Sequence, residues 1–185
     1  NESILQPLKP DAKFEVSIDA FLLTRGEVVP QEPVGAKWNM GGEKPAAVVR
    51  TTNVAPVLIH SCVRQILIDN GFETWSTYDV QLTGKNGELW SDYYGLVVHG
   101  RCGEIDDSKS VEVPKRRGNR MSRVWKGLFF DPETWDGSDI FMPGKERGNI
   151  FVTQAAKEVL ETAEIGNVRF ERLDEVERIL LRNQC

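Results

Sequence analysis

The sequence predicts an α+β fold in one domain, with two strand-helix-strand units flanking a central antiparallel hairpin. Three observations predict it. Apolar residues recur at helical spacing in residues 55–70 and 154–163. Two aromatic and β-branched stretches, residues 74–82 and 89–99, are joined by a polar link holding an Asn-Gly pair. Short apolar runs, Ala46 to Val49 and Asn149 to Val152, precede the two helical patterns. A chain of 185 residues fits a single core.

Taken in order, residues 1–45 form a strand-and-loop part of the same domain, punctuated by Pro7, Pro10, Pro30, Pro33, Pro45 and the Gly41-Gly42 pair. Its strand signal is the alternation of Phe14, Val16 and Ile18 with Glu15, Ser17 and Asp19. Residues 46–185 form the main part. A strand over Ala46–Arg50 is followed by a turn at Thr51 to Asn53 and a helix over Ala55–Asn70. That helix has Ile59, Cys62, Val63, Ile66 and Leu67 on its core face and Gly71 at its end. The hairpin pairs Thr74–Leu82 with Leu89–His99.

A polar, basic stretch from Ser108 to Arg123 then reads as a solvated loop, with Gly118 and Asn119 interrupting its cations. Trp125 to Phe130 reads as a short strand, and Asp131 to Asp139 as turns. In the second unit Thr153 caps a helix over Gln154–Ala163, with Ala156, Val159, Leu160 and Ala163 on one face, and Val168–Leu173 is the closing strand. Asp174, Val176, Ile179 and Leu180 suggest a short terminal helix.

Composition narrows the function. Hydrophobic residues at 40% and charged residues at 28% describe a chain that folds rather than a disordered one. No run of 18 apolar residues exists, so no membrane helix is expected. Three scattered cysteines, Cys62, Cys102 and Cys185, fit a reducing compartment, the cytoplasm; the chain begins at Asn1, which leaves room for a removed leader. A net charge of −5 disfavours direct contact with nucleic acid and suits a basic partner. The local exception is the run from Lys115 to Lys126, which makes a regulatory nucleic-acid binder an alternative.

The catalytic inventory is thin. His60 with Cys62 and His99 with Cys102 could ligate zinc, but two residues apart on a helix point to different faces. Cys62 reads as core and His99 as a strand residue. His99 and Cys102 as a nucleophile pair would make a small hydrolase or transferase, the other alternative. The acids Glu104, Asp106, Asp107 and Asp131, Glu133, Asp136, Asp139 match no calcium loop, and no phosphate-binding glycine motif occurs. No cofactor, no metal and no enzymatic activity are expected. Trp135, between Thr134 and Asp136, reads either as a binding anchor ringed by charge or as the lid of a satellite core under its loop.

The words YYGLVVHGRCGEIDDSKS, SDIFMP and NIFVTQAAKEVLETAEIGNVRFERL, in that order across Ala46 to Leu173, resemble the eleventh family of polymorphic-toxin immunity proteins. The resemblance rests on a tyrosine-led strand followed by Ile105 and Asp106, then Ser110, the Asp139-Ile140-Phe141 segment and the strand-helix-glycine-strand ending. The Lys115–Arg123 insert, the Gly127–Gly137 stretch and the first 45 residues depart from it. It implies a non-enzymatic protein that binds and neutralises a cognate bacterial toxin, often a nuclease, by direct contact. The expected contact residues are Trp135, Asp136 and Asp139, with Glu104, Asp106 and Asp107 steering the approach.

Overall fold

A computed structural model describes residues 2–7, 10–14, 19–38, 44–51, 56–144, 149–165 and 167–178. The described elements are, in order, β1 (Ser3–Pro7), β2 (Pro10–Phe14), α1 (Ala20–Thr24), β3 (Val34–Trp38), β4 (Val48–Thr51), β5 (Val57–His60) and α2 (Ser61–Asp69). Then come β6 (Trp75–Thr83), β7 (Leu89–Trp90), β8 (Tyr93–Val98), β9 (Gly100–Cys102), β10 (Val111–Arg117), β11 (Arg120–Lys126) and β12 (Ile140–Pro143). The chain closes with β13 (Ile150–Val152), α3 (Gln154–Thr162), β14 (Val168–Arg172) and β15 (Glu177–Arg178), with short 3-10 turns at Asp107–Lys109, Pro132–Thr134 and Leu173–Glu175.

This is a mostly-β protein of three sheets, which corrects the α+β expectation. The strands on either side of each long helix do not pair: β8 lies between β5 and β6, and β1 lies between β13 and β14. Both inserted strands come from elsewhere in the chain, so strand-helix-strand units are not the building blocks.

Six strands run in the order β3-β2-β4-β5-β8-β6, and β3 also pairs with β6, which closes them into a barrel. The β2–β4 and β3–β6 pairs are parallel and the other four are antiparallel. Closure leaves no free sheet edge at these strands. The interior holds Val34, Ala36, Trp38, Val49, Leu58, Tyr78, Val80, Leu82, Tyr93 and Val97, with Leu23 of α1 packed among them.

The strand facing the inside with one residue faces a second core with the next. Leu58 and Val97 point into the barrel, while Val57, Ile59, Leu96 and Val98 point out, onto the sheet β14-β1-β13-β12-β9 and the helices α2 and α3. That sheet is itself buried on both faces, since Ile140, Met142, Ile150 and Val152 face the barrel, whereas Ile4, Cys102, Phe141 and Phe151 face a third cluster. A small apolar cavity of about 20 Å³ remains between barrel and sheet, lined by residues such as Val57, Leu96 and Ile150.

Several local expectations change. Helix α2 begins at Ser61, because Val57–Ile59 is buried as a strand between two cores and His60 caps the helix, its Nδ1 accepting from Cys62 N at 3.1 Å. Cys62 is exposed, not core. Residues 111–126 form two paired strands rather than a loop. Gly127–Phe130 is irregular, and the strand that contains Trp125 stops at Lys126. In place of a terminal helix, Glu177 and Arg178 pair with Lys126 and Trp125; residues 179–185, with Ile179, Leu180 and Cys185, lie outside the described residues. So do Val16, Ile18, the turn at Thr52 and Asn53, and Gly166. No helix among the described residues is long and apolar enough to cross a membrane.

Candidate functional site

The third cluster is covered by loops rather than by another sheet, and the residues expected to make contact with a partner lie in that cover. Trp135 is half-buried in it. Its indole Nε1 donates to Ser138 O at 3.1 Å, and its ring packs on Phe141 with centroids 5.4 Å apart. A side chain so engaged closes a core beneath its loop.

Two acidic loops run side by side over this cluster. Loop 103–109 carries Glu104, Asp106 and Asp107; loop 131–139 carries Asp131, Glu133, Asp136 and Asp139. Gly103 N donates to Thr134 Oγ1 at 2.8 Å, Arg101 N donates to Asp136 Oδ2 at 2.7 Å, and Asp136 N donates to Arg101 O at 3.1 Å. Gly103 is required here, because a Cβ would overlap the Thr134 hydroxyl. Glu104, Asp107, Asp131, Glu133 and Asp136 are all exposed. The structure therefore joins two acidic groups that are some thirty residues apart in sequence into one shelf.

Several of these acids also make contacts that hold the structure around them. Asp106 caps the 3-10 turn, accepting from Ser108 N at 3.1 Å and Ser108 Oγ at 2.5 Å, and pairs with Lys109 at 3.5 Å. The Ser108 hydroxyl is the main reason its carboxyl lies below the ordinary range. Asp107 pairs with Arg178, which also donates to Ser110 Oγ at 3.1 Å. Asp131 caps the Pro132–Thr134 turn. Asp139 is turned inward to the helix, its Oδ1 accepting from the Thr153 hydroxyl at 2.6 Å and its carbonyl from Thr153 N at 3.0 Å. It positions the cap of α3 and does not belong to the shelf.

Asp136 is the pin between the loops. Burial works to raise its pKa, but hydrogen bonds from the Ser138 hydroxyl and from Arg101 N and Ser138 N, with the Arg101 charge, outweigh it and leave the carboxyl below the ordinary carboxylate range. A depressed folded-state value stabilises the fold fully above the unfolded value of ~3.9 and loses that contribution as pH falls through the folded value. The amide shifts of Arg101 and Ser138 should stay constant from pH 7 to 5 and move only below about pH 4. The same low-pH change in Asp136→Asn would refute this assignment.

The residues of the hydrolase alternative are separated in character. Cys102 is buried in the third cluster, and burial first, then the Asp136 charge, pushes its thiol up to about 12. His99 is exposed, with Nε2 and Ser76 Oγ 2.8 Å apart. A thiol so held has almost no thiolate near neutrality. Among the described residues, no three or more His, Cys, Asp or Glu side chains stand together as metal ligands.

Sequence reasoning missed Arg101, whose signal is its place at the junction of barrel and sheet. Its guanidinium donates to Val98 O at 2.6 Å, Gly100 O at 2.8 Å and Arg25 O at 2.7 Å, tying the turn after α1 to β8 and β9. No family model matches the chain, and no curated protein matches it.

Proposed function

We propose that this protein binds and neutralises a bacterial toxin by direct contact in the cytoplasm, and performs no chemistry of its own. The observation that carries the reading is the shelf: two exposed acidic loops held in register by backbone and side-chain hydrogen bonds before any partner arrives. A preorganised negative surface speeds encounter with a basic protein and loses little entropy on docking. A nuclease is basic where it receives phosphate, so it is a fitting partner. The resemblance of residues 46–173 to toxin-immunity proteins points the same way, with Glu104, Asp107, Asp131, Glu133 and Asp136 as contact residues in place of the inward Trp135 and Asp139.

The decisive experiment is co-expression with the product of the adjacent gene. A 1:1 complex and relief of that product's toxicity are expected; no complex, or a complex that leaves toxicity intact, overturns the reading. Within a complex, joint replacement of Glu104 and Glu133 by lysine should slow association by ~10-fold at low salt, with little change in dissociation and a gap that narrows as salt rises. An unchanged association rate would move the contact off the shelf.

A further inference from the structure

The loop that carries Glu104 to Asp107 leads into β10, and β11 returns into the loop that carries Asp131 to Asp136, so an arm of opposite charge rises beside the acidic shelf. Residues 111–126 hold six Lys or Arg and one Glu in a chain of net charge −5, which leaves the remainder more acidic still. The two seven-residue strands pair along their whole length, from Val111 opposite Lys126 to Arg117 opposite Arg120. The turn between them is Gly118-Asn119, with Gly118 at φ +60°, the geometry of a tight hairpin. Beyond Trp125 and Lys126, which meet β15, the strands pair only with each other among the described residues.

The two faces of this arm differ. Cross-strand partners share a face. Val113 and Val124 share one with Lys115 and Ser122 and with the exposed root pair Val111 and Lys126; Val124 is buried and Lys115 pairs with Glu177, so this face meets the body above its root. The other face carries Pro114, Arg116, Met121 and Arg123, all exposed, with Met121 at 67%. Among the described residues Arg123 pairs with Glu112, at 3.3 Å across a surface where such pairs are weak. The register also sets Arg117 opposite Arg120 at the tip.

We propose that the β10–β11 ribbon is an arm that enters the major groove of duplex DNA and holds it through phosphate contacts. Two strands ~4.8 Å apart, with their side chains, match a groove ~12 Å wide that is known to admit a two-stranded ribbon. Seven residues at ~3.4 Å each span about seven base pairs. The deep, narrow major groove of an RNA duplex does not admit such an arm. The expectation of no direct nucleic-acid contact followed from the net charge of the whole chain, whereas binding depends on the charge of the part that reaches the phosphates. This inference is independent of the toxin reading.

The test is fluorescence anisotropy of the full chain with a labelled 20-base-pair DNA duplex, an RNA duplex of the same sequence, and poly-glutamate of matched charge. DNA binding at 50 mM salt is expected, with log K falling against log salt at a slope of about −3, as for three to four phosphates. The R116E/R123E variant should bind DNA at least ~10-fold more weakly with its thermal unfolding unchanged, and the RNA duplex should bind more weakly than DNA. No DNA binding at 50 mM salt, equal binding by the variant, equal binding of RNA, or equal binding of poly-glutamate each overturns the proposal.

Discussion

Alanine at Gly95 should cost the protein about 3 kcal/mol of folding stability, the upper end of what an inserted methyl does in a packed core. Gly95 lies opposite Tyr78 in the register of β8 and β6, and the phenol ring covers it from inside the barrel. A Cβ at Gly95 would overlap that ring, and the barrel offers the ring no room to retreat, since Tyr78 is buried. Urea unfolding should show a lower midpoint with unchanged slope. Adding Tyr78→Leu should recover part of the loss, so that the double variant is less destabilised than the sum of the singles. A loss under 0.5 kcal/mol for Gly95→Ala, or strict additivity, would refute the contact. The Tyr78 hydroxyl has no hydrogen-bond partner among the described residues, and its burial raises its pKa, so the ring and not the hydroxyl holds this position.

Phe141→Ala should cost about 3–5 kcal/mol, the range for a fully buried phenylalanine. The side chain is 0% exposed and meets Phe130, Phe151 and Trp135 with ring centroids 5.8, 5.6 and 5.4 Å apart. Its removal opens a cavity under the acidic shelf and takes away the surface on which Trp135 rests. We expect the unfolding temperature to fall steeply and the binding proposed for the shelf to weaken, although Phe141 itself is fully buried. Phe141→Leu should restore more than half of the stability. A loss below 1 kcal/mol for the alanine variant would show that the cover collapses to fill the space.

Helix α3 was legible because its signals are local: Thr153 caps it, accepting from Ala156 N at 3.4 Å, and Ala156 and Leu160 lie on the buried face. The strand Val57–His60 was not. Each of its apolar residues is buried, Leu58 in one core and Val57 and Ile59 in another, and a run buried on both faces has no period that separates it from a helix. The ribbon failed for the opposite reason, since its exposed faces carry no hydrophobic alternation. Its Gly-Asn turn was the signal that could have found it.

Pairings between distant segments left no mark at all. Nothing in residues 1–45 says that β2 lies parallel to β4 or that β3 lies parallel to β6, and those two pairs turn a meander into a barrel. The site was half legible. Both acidic groups were visible as residue types, but their union depends on contacts of Gly103 with Thr134 and of Arg101 with Asp136 that no spacing reveals. The partial burial of Trp135 and the bond of Asp139 to Thr153 left no trace, because exposure cannot be read from polar neighbours.

The place of β1 has a consequence for synthesis. Ser3–Leu5 lies between Ile150–Val152 on one side and Phe170–Arg172 on the other, so both neighbours of this strand are made long after it. During synthesis this strand must wait with its amides unpaired until both of those distant segments have emerged. Contacts of such long sequence separation slow folding, and the five-stranded sheet can assemble only after Arg172 has left the ribosome.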